Sequence, residues 1–151
     1  MNLSIRQTDE KEADGVNDLY RRCGYSGNVA QNDIVLLAEI DHAPVGAVRI
    51  CEENGIRVLR GMYLLPAHQR AGIGSALLHR CIPAIKDRPC YCLPYAHLAG
   101  FYKQIGFSRI NGIELPEFLK ARLESYREKG LDVVAMKRPP NHDALERTAA
   151  R

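Results

Sequence analysis

Gln69-Arg70-Ala71-Gly72-Ile73-Gly74-Ser75 lies where the hydrophobic pattern changes from period two to helical period. Before it, Ile56 to Leu65 reads as a strand that ends at Pro66. After it, Ile73, Ala76, Leu77, Cys81 and Ile82 share one helix face until Pro83 kinks or stops the helix. At a turn of this kind successive backbone N–H groups point outward and the helix dipole favours an anion. Glycines at 72 and 74 let the backbone approach a pyrophosphate with no Cβ in the way. A Walker loop would need Lys and then Ser or Thr after its last glycine, but Gly74 is followed by Ser75-Ala76. A dinucleotide fingerprint would need a third glycine where Leu77 stands. Two readings remain for the turn alone: a phosphate cradle, or an ordinary strand-to-helix turn with glycine for packing.

Upstream, Leu3 to Gln7 alternates as a first short strand. A helix follows, with Thr8 or Asp9 as its cap and Val16, Leu19 and Tyr20 as its apolar stripe, and it ends near Cys23-Gly24. Ile34 to Ile40, Val45 to Cys51 and Ile56 to Leu65 are three successive strand signals. The turns between them are Asp41-His42-Ala43-Pro44 and a segment containing Asn54-Gly55, a hairpin signal, so an antiparallel meander is expected. Downstream, Cys90 to Leu93 reads as a strand, Ala96 to Ile105 as a helix closed by Gly106, and Phe107 to Ile110 as a strand. Pro116 to Lys129 reads as an amphipathic helix ended by Gly130, and Leu131 to Lys137 as the last strand. This is an α+β order. The expected organisation is one domain over 1–137 and a small polar tail over 138–151.

The 151 residues suit one domain, and 46% hydrophobic with 26% charged residues is enough to bury a core. A net charge of +3, from 21 Lys and Arg against 18 Asp and Glu, falls short of a nucleic-acid signature. No transmembrane run or secretory leader is seen, so a cytoplasmic protein with neither nucleic-acid nor membrane partners is expected. Five scattered cysteines suit reduced buried thiols, and Cys90-Tyr91-Cys92 lacks the second pair a zinc site needs, so no metal is expected.

Leu64 to Gly74 resembles the acetyl-coenzyme A motif of the GNAT superfamily of N-acetyltransferases. Phe101-Tyr102-Lys103-Gln104-Ile105-Gly106-Phe107 is similar to that family's downstream segment, in which an aromatic-Tyr pair leads to Gly-Phe. The resemblance spans about residues 3 to 137. It implies an α/β mixed, mostly antiparallel sheet splayed between its fourth and fifth strands and flanked by helices, the acyl-CoA N-acyltransferase fold. It also implies acetyl-CoA as co-substrate. Strand residues Met62, Tyr63 and Leu64 would take the pantetheine arm, and Gln69, Arg70, Ala71, Gly72, Ile73, Gly74 and Ser75 the pyrophosphate.

Acetyl transfer to an amine needs a neutral nucleophile, a stabilised oxyanion and a protonated leaving thiolate. Backbone N–H groups around Met62 to Leu64 would polarise the thioester carbonyl if the fourth strand bulges there. By the resemblance, Tyr102 faces the coenzyme sulfur and protonates or hydrogen-bonds it. The mid-strand position where histone-modifying members carry glutamate is Val58 here, with Arg57 and Arg60 beside it. His97 is the next candidate base, histidine being the side chain that exchanges a proton near neutral pH, with water or a backbone relay as the other route. An α-amine near ~7.7–8.0 needs less help to lose its proton than a lysine near ~10.4. The expected reaction is therefore direct transfer, in a ternary complex, to a primary amine of a small molecule such as an amino acid. Acetylation of a protein N-terminus or lysine, and an idle coenzyme A sensor, are the alternatives. Tyr25, Ser26, Asn28, Glu114, Glu117, Arg122 and Tyr126 are candidates for acceptor recognition, and a homodimer is compatible.

Overall fold

The computed structural model describes residues 2–140, and the chain divides between Ala84 and Ile85 into two compact units. The first unit holds β1 (Leu3–Gln7), α1 (Ala13–Arg22), β2 (Ile34–Ile40), β3 (Ala43–Glu53), β4 (Ile56–Leu64) and α2 (Ile73–Arg80). A single turn, α3 (Ile82–Ile85), lies at the division. The second unit holds β5 (Cys90–Cys92), α4 (Ala99–Lys103), β6 (Ser108–Arg109), α5 (Glu117–Glu128) and β7 (Met136–Arg138).

In the first unit β1 to β4 form the expected meander, each strand antiparallel to the next. Both inner turns are two residues long, with positive φ throughout: Asp41 at 50° and His42 at 71°, then Asn54 at 52° and Gly55 at 76°. That is the turn whose twist matches paired strands. Ala43 and Pro44, read from sequence as turn residues, are instead the first residues of β3. Pro44 stands opposite Glu39 beside a register shift, a place where a missing N–H is tolerated.

Asp9, not Thr8, caps the entry to α1: its side chain accepts from the Lys11 N–H at 2.9 Å and starts a 3-10 turn over Glu10–Glu12. Val16, Leu19 and Tyr20 of α1 are then buried with Val35, Leu37 and Ala47 of the sheet. A second register shift falls between β3 and β4. Ala47 pairs with Tyr63 and Arg49 with Arg60, so Gly61 and Met62 together face Val48 alone. Gly61 has φ +67°, the left-handed geometry of a glycine bulge.

The helix expected to run past Cys81 breaks there, and Pro83, which has no N–H to donate, sits inside the separate turn α3. In the second unit β7 pairs antiparallel with both β5 and β6. The expected strand Leu131 to Lys137 shortens to Met136–Arg138, and the reason is Pro94. Val134 N–H donates to Pro94 O at 2.9 Å, but Pro94 has no N–H to return, so the ladder lapses and one bridge, Tyr95 to Val133, continues the register. The expected helix Ala96 to Ile105 begins as a 3-10 turn over Ala96–Leu98 and is α-helical only over Ala99–Lys103.

Arg138, read from sequence as the start of the tail, ends β7 and is fully buried, its Nε donating to Ile105 O at 2.6 Å. The rest of the expected tail, residues 141–151, lies outside the described residues. Among the described residues no group of three or more His, Cys, Asp or Glu could hold a metal, and no helix is long and apolar enough to cross a membrane.

All five cysteines are free thiols, and only Cys23 is partly exposed. Burial pushes Cys51 and Cys81 up to about 12 and raises Cys92 and Cys23 as well. Thiolate is the reactive form. Iodoacetamide at pH 8 should therefore modify Cys23 alone in the native protein and all five residues in denaturant, as intact-mass spectrometry would show. A raised thiol pKa also adds stability that is present below the unfolded value of 9 and is lost as pH climbs toward 12. The urea midpoint should therefore fall between pH 8 and pH 10.

Candidate active site

Along β4 burial declines from Val58 and Leu59, which are buried, to Gly61, Met62, Tyr63 and Leu64, which are half-buried. Beyond it the Leu65 N–H donates to Val45 O at 2.8 Å, and Pro66–His68 make a 3-10 turn. Gln69 Nε2 reaches back to Leu64 O at 3.4 Å and ties the turn to the strand end. Arg70 and Gly72 both have left-handed backbones, at φ 66° and 81°. Residues Gln69 to Gly72 are exposed, Ile73 is buried and anchors α2, and Gly74 and Ser75 are half-buried.

No side chain caps α2, and a Cβ added to Gly72 would meet nothing within 4 Å. The helix-start amides therefore have no side-chain acceptor. The left-handed φ of 81° favours glycine at position 72 whatever faces it.

Behind the bulge lies a polar cluster in which Arg49 and Asp33, not singled out from sequence, join Tyr25 and Asn28, which were. Arg49, in β3, is buried and ion-pairs with Asp33 at 3.2 Å, the two side chains being 4% and 3% exposed. Its Nη1 also donates to Asn28 O at 2.5 Å and its Nη2 to Tyr25 Oη at 2.6 Å. The guanidinium lies 5.6 Å from the Tyr20 ring centroid and 5.9 Å from that of Tyr25. Burial works against its charge, but Tyr20, Cys51, Tyr25 and Asp33 around it more than offset that and hold it above its ordinary pKa. Tyr25 stacks on Tyr63 with centroids 4.3 Å apart, and Tyr20 meets Tyr25 edge-on at 4.8 Å. Arg49 Nε and Tyr20 Oη are buried without a hydrogen-bond partner, and both point at Gly61. One signal could have revealed the cluster: an arginine inside the apolar run Val45 to Cys51.

Of the other residues singled out from sequence, Tyr102 is buried in α4, edge-on to Phe101 at 5.1 Å and to Phe107 at 6.2 Å. His97 is exposed in the 3-10 turn before α4 and stacks on Tyr95 at 5.8 Å. Val58 is buried, while Arg57 pairs with Glu52 at 3.3 Å and Arg60 with Glu53 at 3.2 Å. Besides Tyr25 and Asn28, three further recognition candidates are engaged locally, Arg122 with its guanidinium 5.6 Å from the Phe118 ring centroid. Glu114 accepts from the Asn111 N–H at 3.1 Å in a capping box, and Glu117 pairs with Lys120 at 3.3 Å.

Residues 31–109, more than half of the chain, match the acetyltransferase (GNAT) domain family. The chain belongs to the GNAT family of acetyltransferases. No curated protein sequence matches this GNAT chain. Among solved structures, the GNAT-family acetyltransferase of Streptococcus pneumoniae is similar with a TM-score of 0.68 at 17% identity, over 92% of this chain and 99% of that one. The PaiA N-acetyltransferase of Thermoplasma acidophilum, in complex with coenzyme A, has a TM-score of 0.63 at 14% identity, over 92% and 99%. N-acetylglutamate synthase of Neisseria gonorrhoeae, in complex with coenzyme A and N-acetyl-glutamate, has a TM-score of 0.66 at 21% identity over 92% of this chain. This chain spans only 35% of that synthase. At these identities the likeness is one of fold, the mixed α/β fold of acyl-CoA N-acyltransferases.

Proposed function

We propose that this GNAT domain is an acetyl-CoA-dependent N-acetyltransferase. It transfers the acetyl group to a primary amine of a small molecule, of which amino acids are the first class to test. The observation that carries the proposal is the pairing of a glycine bulge in β4 with an uncapped left-handed turn at the start of α2. Bound acetyl-CoA supplies an acetyl group activated as a thioester. The half-buried backbone at Met62, Tyr63 and Leu64 holds the pantetheine arm, and a bulge redirects N–H groups there that a regular ladder would consume. The amides from Gln69 to Ser75 hold the pyrophosphate, with Arg70 adding positive charge. Tyr102 is the proposed donor to the departing sulfur and His97 the proposed acceptor of the amine proton.

The acceptor class draws on two observations. Val58 puts no carboxylate in the middle of β4, which favours an amine already partly neutral over a lysine side chain. The Neisseria synthase, similar in fold, was solved with an N-acetylated amino acid. Thiol release from acetyl-CoA, measured across amino acids, other small amines and peptides, tests the reading. Release above background with small amines is expected. Release with peptides only would move the acceptor to proteins, and tight coenzyme binding with no release from any amine would leave an idle binder.

Replacing Tyr102 with Phe should slow transfer by roughly 10- to 100-fold, within the range for a lost proton donor, and leave coenzyme affinity unchanged. Parallel calorimetry and initial rates check this. An unaltered rate removes Tyr102 from the chemistry.

A further inference from the structure

We propose that Arg138 is a positioning residue for Tyr102, holding the end of the short helix α4 so that the tyrosine keeps its place for the coenzyme sulfur. This rests on the proposed donor role of Tyr102. Helix α4 runs for only five residues, Ala99–Lys103, and a helix of that length has too few internal bonds to fix itself. Past its end the chain turns on three bonds of i to i+3 type. Gln104 N–H donates to Phe101 O at 3.4 Å, Ile105 N–H to Tyr102 O at 3.3 Å and Gly106 N–H to Lys103 O at 3.0 Å, so the first two are long. Gly106 then reverses the chain with φ +100°. The turn therefore depends on what holds it from outside, and its carbonyls are the groups that a helix end leaves open.

Two side chains reach those carbonyls. Gln104 Nε2 donates to Phe101 O at 2.8 Å, but Gln104 is exposed and belongs to the turn itself. Arg138 Nε donates to Ile105 O at 2.6 Å from β7, and the arginine is 0% exposed. Strand β7 is the fixed side of this contact, since it pairs with both β5 and β6 and Arg138 itself stands opposite Cys90. A charged donor holds a carbonyl roughly twice as firmly as a neutral one, and a buried one meets little competition from water. Ile105 lies in sequence between the two rings whose contact places the tyrosine: Tyr102, which is buried, meets Phe107 edge-on at 6.2 Å. Releasing Ile105 O frees the turn from β7, and the Tyr102 ring shifts with it. The proposed coenzyme cradle at Gln69 to Ser75 belongs to the first unit and shares no residue with this contact, so Arg138 governs the rate and not the affinity.

Arg138→Lys keeps the charge but loses the guanidinium Nε that holds Ile105 O. In thiol release from acetyl-CoA with a small amine, kcat should fall roughly 10-fold, with amine KM and coenzyme affinity within about twofold of wild type. The same substitution made in Tyr102→Phe should change kcat less than about twofold, because the hydroxyl it positions is gone. An unchanged kcat in the single variant, or a further loss of about 10-fold in the double one, overturns the proposal. A second readout needs no turnover: NMR spectra of protein with isotope-labelled tyrosine, in which the Tyr102 ring signal is assigned by its loss in Tyr102→Phe. That signal should move in Arg138→Lys while those of Tyr20 and Tyr63 stay. A Tyr102 signal that stays, or tyrosine signals that all move together, overturns the positioning role. Where Arg138→Lys fails to fold, Arg138→Gln, neutral but still carrying an amide donor, gives the same readouts. Wild-type protein that releases no thiol, or a Tyr102→Phe rate equal to wild type, sinks the donor reading of Tyr102 and the rate effect with it, while the spectra still decide whether Arg138 places the ring.

Discussion

Gly61→Ala should destabilise the protein by about 3 kcal/mol or more. Two effects combine at this position. An alanine at φ +67° bears the left-handed penalty, of order 1–2 kcal/mol. Its Cβ would also lie 2.5 Å from Tyr20 Oη and 2.9 Å from Arg49 Nε, inside any real contact distance. Overpacking of that kind adds roughly 1–3 kcal/mol, because Tyr20 is 0% exposed and has nowhere to swing. Against a typical stability of about 5–15 kcal/mol this is a large fraction, visible in a urea melt. Tyr20→Phe removes the nearest clashing atom, so the double variant should recover part of the loss while the φ penalty stays. Additive losses in that cycle would show that the Tyr20 contact is not what makes glycine necessary. Coenzyme binding through the distant turn at Gly72 should survive in whatever fraction folds, whereas acetyl transfer should fall with the bulge.

The meander was legible because its signals are local. Asp41-His42 and Asn54-Gly55 set the turns, and alternation set the faces. The bulge entered only through the family resemblance, although a lone glycine in a strand is itself a bulge signal. The four residues from Gly61 to Leu64 are all half-buried, so a one-residue slip of register leaves no trace in the hydrophobic pattern. Boundaries failed where proline acts at a distance. Pro83, read as a kink or stop, is local to its helix, although the break falls two residues before it, at Cys81. Pro94, however, ends a ladder whose other strand lies some forty residues later, and no window on Leu131 to Lys137 contains that information. Arg49 stands out in the run Val45 to Cys51, but its pairing does not, for a related reason. Its partners Tyr25, Asn28 and Asp33 come from a loop that composition describes only as irregular, so a buried ion pair reads as one stray charge in a strand.

Gly72→Val should weaken coenzyme A binding at least 100-fold while leaving the protein folded. The contrast with Gly61 is steric. A Cβ at Gly72 meets nothing within 4 Å, so the cost to the fold is confined to the φ +81° backbone, of order 1–2 kcal/mol. The space that Cβ would fill is the open side of the uncapped α2 start, where the proposed pyrophosphate approaches the amides. Strain and exclusion can be told apart with Gly72→Asn, since asparagine adopts the left-handed region more readily than valine but still projects a side chain. If exclusion dominates, both variants lose affinity although Asn restores stability; if backbone strain dominates, Asn restores both. Pantetheine, which lacks the pyrophosphate, supplies the control: its weak affinity should be the same in wild type and variant. Calorimetry with coenzyme A and pantetheine decides the matter, and a folded Gly72→Val protein that binds coenzyme A as well as the wild type would show that the phosphates lie elsewhere.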